Sequence, residues 1–174
     1  SNLNVNQTLD LTTSEIRINP GGELNFINTT VNTMDYSFGN NSNDTIISPY
    51  TLVSDAGNLS IYDSTIYYGM IWLVGGNADI SGLALDGFSM LNYGIFSEDT
   101  NLKLSGVSIR NYTLGLRSIG SDPDMESIFY YNCSTRMTQE WWVTFSAFEE
   151  STGLPIVGFE PRQWDGEKMA PSWN

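Results

Sequence analysis

Short runs of alternating apolar and polar residues recur along the chain in one fixed pattern. Counting from Leu24, Leu59, Ala78, Leu102 and Ile128, the residue two places on is Phe26, Ile61, Ile80, Leu104 or Tyr130. In a strand both members of each pair face the same side. Four places from each start come Asn28, Asp63, Gly82, Gly106 and Asn132, the residue types that enter the left-handed backbone region at least cost. Val31, Ile66, Leu85 and Ile109 stand seven places from their starts, with Thr135 closing the series. The pattern reads as strand, bend, strand, and the starts are 35, 19, 24 and 26 residues apart, which suits a solenoid of variable coils. The five bend residues are expected at equivalent corners of successive turns.

A third strand per coil is visible in Tyr68-Gly69-Met70-Ile71, Tyr93-Gly94-Ile95-Phe96 and Leu114-Gly115-Leu116. Gly-, Asp- and Asn-rich turns follow it at Pro20-Gly21-Gly22, Asp55-Ala56-Gly57, Gly75-Gly76-Asn77 and Glu98-Asp99-Thr100-Asn101. Thr30, Thr65, Ala84, Ser108 and Ser134 make a column of small residues that lets coils stack at strand spacing. A β-sandwich would share the alternation and the turns, but it does not need a bend-forming residue at one offset in every unit.

These residues resemble the right-handed parallel β-helix repeats of the pectate-lyase-like superfamily, and within it the short coils of NosD-like surface and periplasmic proteins. Leu102 to Asn111 is the clearest match, and the resemblance covers residues 14 to 136. It implies an all-β fold: a short right-handed parallel β-helix of about five coils. That superfamily includes lyases, glycosidases, adhesins, tailspikes and filaments, so the architecture leaves function open.

Three regions are expected: a capping or pairing strand at 1–13, the β-helix at 14–138, and a C-terminal β extension at 139–174. Leu3, Val5, Leu9 and Leu11 alternate in the first. Residues 39 to 45 read as a loop protruding from one coil. In the last region Trp141, Trp142, Val143, Phe145 and Phe148 form a dense aromatic strand, followed by an acidic turn and Leu154-Pro155-Ile156-Val157-Gly158. That stretch resembles the opening hairpin of small Ig-like or carboxypeptidase-regulatory-like modules. An isolated hairpin is marginal in water, so it implies a partner surface. Trp164 adds to it, and the candidate assembly contacts are the four aliphatic residues of the first region with Trp141, Trp142, Phe145, Phe148 and Trp164.

Composition narrows the chemistry. Seven Lys and Arg against twenty Asp and Glu give a formal charge of −13, which repels phosphate backbones and anionic lipid and argues against nucleic-acid binding. No run approaches the roughly 18 apolar residues of a membrane span, and no leader-like segment opens the chain. Single Cys133 excludes an internal disulfide and reads as a small inward residue beside Val107. Candidate glycosylation sequons at Asn6, Asn28, Asn40, Asn43, Asn58, Asn111 and Asn132 point to an extracellular or cell-surface setting.

His is absent, which removes His-dependent nucleophilic and metal sites. What remains for a β-helix is carboxylate chemistry, with Asp86, Asp99, Asp122, Asp124 and Glu126 as candidates near Arg110 and Arg117, but no glycosidase or lyase motif stands among them. Asp122, Asp124 and Glu126 are also the candidate calcium ligands. The expected function is a structural or surface-display subunit of a filament, surface layer or adhesin, partnered by copies of itself or by a larger surface protein. The alternatives are a carbohydrate-binding or carbohydrate-cleaving fragment, with Tyr67, Tyr68, Trp72 and Tyr93 lining a glycan groove, and a viral fibre or tailspike segment.

Overall fold

The computed structural model describes residues 2–5, 7–11, 15–33, 51–141, 151–152 and 154. The chain divides into two compact units, Ser1–Trp141 and Trp142–Asn174. In the second, Leu154 is exposed and its N–H lies 3.3 Å from the Thr152 hydroxyl. The first is a parallel β-solenoid of about five turns, with no helix among its described residues.

Each turn lays down three strand faces. The first face stacks β1 (Asn2–Val5), β4 (Glu23–Ile27), β7 (Asn58–Tyr62), β10 (Asn77–Ser81), β12 (Asn101–Ser105) and β14 (Asp124–Glu126). The second stacks β2 (Thr8–Leu11), β5 (Thr30–Thr33), β8 (Thr65–Tyr67), the start of β11 (Ala84–Glu98), the start of β13 (Ser108–Ile119) and β15 (Phe129–Tyr131). The third stacks β3 (Ile16–Ile18), β6 (Leu52–Asp55), β9 (Ile71–Val74), the ends of β11 and β13, and β16 (Thr135–Glu140). β11 and β13 run through the second corner unbroken, and the β11–β13 register shifts between Asp86 and Leu91.

Period-two alternation fixes which side chains enter the core. Leu24, Leu59, Ala78 and Leu102 form one inward column, and Phe26, Ile61, Ile80 and Leu104 the next; all are buried. Val31, Ile66, Leu85 and Ile109 line the second face, each fully buried. β1, β2 and β3 each take one face and make a turn of the solenoid in their own right, with Leu3 in register with Leu24 and Val5 with Phe26.

The first corner is a stack of left-handed residues: Asn28 (φ 49), Asp63 (φ 47), Gly82 (φ 62) and Gly106 (φ 61). Their N–H groups donate to the carbonyls of Tyr62, Ser81, Ser105 and Glu126 in turn, so each corner hangs on the next. The fifth member is Ser127 (φ 56), where the sequence pattern had pointed to Asn132. Asn132 (φ 51) sits instead at the second corner, stacked on Asn111 (φ 62). The cause is the last turn: Leu104 pairs with Met125 and Ser105 with Glu126, so the strand before the bend is 124–126. Every expectation drawn from the Ile128 start moves with it. Tyr130, not Thr135, follows Ile109; Phe129, not Ser134, continues the small-residue column. Cys133 is half-buried with its thiol 3.6 Å from the Ile109 carbonyl, away from the predicted place beside Val107.

Among the described residues Tyr112 is a buried aromatic with a polar end that the sequence pattern did not single out. It is 2% exposed and its hydroxyl donates to the Gly69 carbonyl. Its ring fills the space that Gly87 leaves open, since a Cβ there would lie 2.4 Å from the ring. Burial first, then the charges of Asp86 and Cys133, push its hydroxyl well above the ordinary value of 10.0. The neutral phenol is thus favoured in the fold, so its contribution is complete below pH 10 and is lost as alkali ionises the unfolded chain. Tyr112→Phe is expected to cost about 1–3 kcal/mol at neutral pH by stranding the Gly69 carbonyl, and to flatten the alkaline limb of a urea-stability profile. An unchanged limb would refute the assignment.

Candidate functional site

Outward positions one turn apart are within hydrogen-bonding reach, and the chain uses this to build side-chain ladders. Asn77 donates to Asn58 at 2.9 Å and Asn101 to Asn77 at 3.1 Å. Asn132 donates to Asn111 at 2.8 Å, and Asn111 to Asp86 at 2.7 Å. Asn32 donates to Asp10 at 2.9 Å. Three of the sequon residues, Asn58, Asn111 and Asn132, therefore belong to ladders. Asn28 is exposed at the first corner. Asn6, Asn40 and Asn43 lie outside the described residues.

The aromatic residues expected to line a glycan groove do not share a face. Tyr67 points out from the second face, 42% exposed, in a row with Asp86, Arg110 and Tyr131. Arg110 lies over the Tyr131 ring at 5.1 Å. Tyr68 is at the second corner (φ 60). Trp72 belongs to the third face, where its ring packs 4.9 Å from Phe96, and the Tyr93 ring lies 6.0 Å from Phe96. Arg117 covers Phe96 at 5.7 Å and pairs with Glu140 through two hydrogen bonds, 2.8 and 2.9 Å. Bonding to Arg117 holds the Glu140 carboxyl below its usual range, and the same bond raises Arg117. The pair is exposed, so its worth is small.

The candidate acids are spread out. Asp86 is on the second face, accepting from Asn111; Asp99 is a left-handed residue of the third corner (φ 48); Asp122, Asp124 and Glu126 lie on or just before β14. Asp122 precedes the strand, and its carboxylate accepts from Gln139 at 3.0 Å. Among the described residues no group of three His, Cys, Asp or Glu could hold a metal ion. The calcium expectation at Asp122, Asp124 and Glu126 thus finds no assembled ligand set.

The two ends of the solenoid differ from its middle. β1, β2 and β3 end the stacks at one end, and β14, β15 and β16 at the other, each hydrogen-bonded on one side among the described strands. Val5 is buried in the chain's own core and Leu9 and Leu11 pack against it, so these candidate contacts are inward groups of the first turn. At the far end Met125, Phe129 and Tyr131 are 40%, 51% and 50% exposed. Trp141 is 56% exposed. Trp142, Phe145, Phe148, Trp164 and the expected C-terminal hairpin lie outside the described residues. Among the described residues no helix is long and apolar enough to cross a membrane. Comparison with protein families, curated proteins and solved structures finds no match.

Proposed function

We propose that the protein is an extracellular structural or surface-display subunit, part of a filament, surface layer or adhesin, that assembles through the ends of its solenoid. The observation that carries this reading is the pair of strand edges: among the described strands the first and last of each stack are hydrogen-bonded on one side, and such parallel edges are templates for further strands. The exposed apolar residues of the last turn add buried area to such a contact. The sequons and acidic surface favour an extracellular or cell-surface place. The three-faced coil with stacked left-handed corners supports membership of the pectate-lyase-like superfamily with NosD-like coils. The aromatic and acidic-turn pattern after residue 139 supports a C-terminal Ig-like module.

The test is sedimentation velocity across a wide concentration range with electron microscopy of the same samples. Mass growing with concentration, into rods or sheets, is the expected result. A monomer at every concentration would overturn the reading.

One observation favours a second reading, glycan binding: the outward row Tyr67, Asp86, Arg110, Tyr131 offers rings at both ends of a charged centre. Loss of polysaccharide binding in a Tyr67→Ala variant that still assembles would favour it, since Tyr67 stands on β8 in the middle of the stack, away from both ends.

A further inference from the structure

We propose that two copies of this chain join head to tail, with the first turn of one stacked in strand register on the last turn of the other, so that the solenoid continues across the junction. This junction rests on the self-assembly reading above and specifies its contact.

Every strand of each face is parallel to its neighbours, so the first turn of a second copy presents the same hydrogen-bonding direction as a next turn would. Continuing the observed register by one turn fixes which residues meet. Inside, Val5 falls over Met125, Leu9 over Tyr130 and Ile16 over Met137. All three pairs are apolar. They would bury the half-exposed inward side chains of the last turn.

Outside, one pair is opposite in charge and the others set a polar or charged group over a polar or charged one. Asn19, one residue beyond Ile18, falls over Glu140. Glu15, one residue before Ile16, falls over Arg136, which precedes Met137. Arg17, ion-paired with Glu15 at 2.7 Å, falls over Thr138. An amide above a carboxylate is a contact this solenoid already makes between turns, at Asn32 with Asp10 and at Asn111 with Asp86. A tail-to-tail contact would instead set the acidic edge of Asp124, Glu126 and Glu140 against its own copy. Because the two surfaces of a head-to-tail contact differ and both stay available, the assembly is open and repeats.

Disulfide trapping tests the register. Parallel neighbours stand about 4.8 Å apart, within the Cα separation a disulfide spans. In a Cys133→Ser background, Asn19→Cys with Glu140→Cys is expected to give a ladder of covalent multimers on oxidation, and Asn19→Cys with Asp124→Cys only monomer. Glu140→Cys alone should not dimerise beyond background. Multimers of wild-type protein without the in-register ladder, or equal trapping by the off-register pair or the single variant, would overturn the junction and leave self-assembly standing. Wild-type protein that never associates removes both.

Discussion

Ile80→Ala is expected to destabilise the solenoid by about 2–5 kcal/mol, and Met125→Ala by less than about 1. Both occupy the same inward column, Ile80 between Ile61 and Leu104, Met125 beyond Leu104. They differ in cover: Ile80 is 0% exposed, whereas Met125 is 40% exposed at the last turn. Truncation of the first leaves a cavity between two turns that cannot close, because hydrogen-bonded strands above and below fix the spacing. Truncation of the second removes little buried area and no enclosed contact. In a solenoid each turn is stabilised by its neighbours, so a defect in the middle weakens both flanks while one at the end frays locally. Urea unfolding of the two variants, with amide exchange mapped turn by turn, checks this; equal losses would mean that the column is not a continuous core.

Most of this architecture was legible because two physical constraints leave marks on sequence. Inward strand positions must be apolar at period two, and a corner that turns the chain in the left-handed region selects Gly, Asn or Asp. Where both constraints act, at Leu24 with Asn28, Leu59 with Asp63, Ala78 with Gly82 and Leu102 with Gly106, the sequence pattern and the structure agree. The last turn breaks the second constraint with Ser127 and weakens the first with Pro123 and Met125 at the inward places. Asn132 at a different corner then offers a better imitation of the pattern than the true bend does. The first turn was hidden for a related reason: its corner is one residue shorter, since Val5 pairs with Phe26 but Thr8 with Thr30.

The ends are harder to read than the middle. Turn-to-turn ladders such as Asn58, Asn77, Asn101 join residues 19 and 24 apart, and those separations follow no fixed period because each coil has its own loop lengths. Tyr112, hydrogen-bonded 43 residues away at Gly69, leaves no local trace beyond the glycines at 87 and 94 that make room for it. The complementarity of the first and last turns becomes visible only after the register of every intervening turn is known.

Gly76→Ala is expected to cost about 2–5 kcal/mol, Gly106→Ala about 1–2, and Gly106→Asn close to nothing. Both glycines are left-handed, Gly76 at φ 70 and Gly106 at φ 61, so alanine carries the same backbone strain at either place. Space separates them. A Cβ on Gly76 would lie 2.2 Å from the Gly57 carbonyl oxygen and 3.0 Å from the Gly57 nitrogen, backbone atoms of the turn below, and that carbonyl already accepts the Asn77 N–H. The clash can be relieved only by prising two turns apart, which disrupts the adjoining ladder at Asn58 and Asn77. At Gly106 the nearest atom to a Cβ is the Gly82 nitrogen, 3.8 Å away, and Asn28 shows that asparagine occupies this column without difficulty. Thermal melts of the three variants should therefore rank Gly106→Asn above Gly106→Ala above Gly76→Ala. If the two alanine variants melt together, backbone strain alone governs the corners and close approach between turns contributes nothing to them.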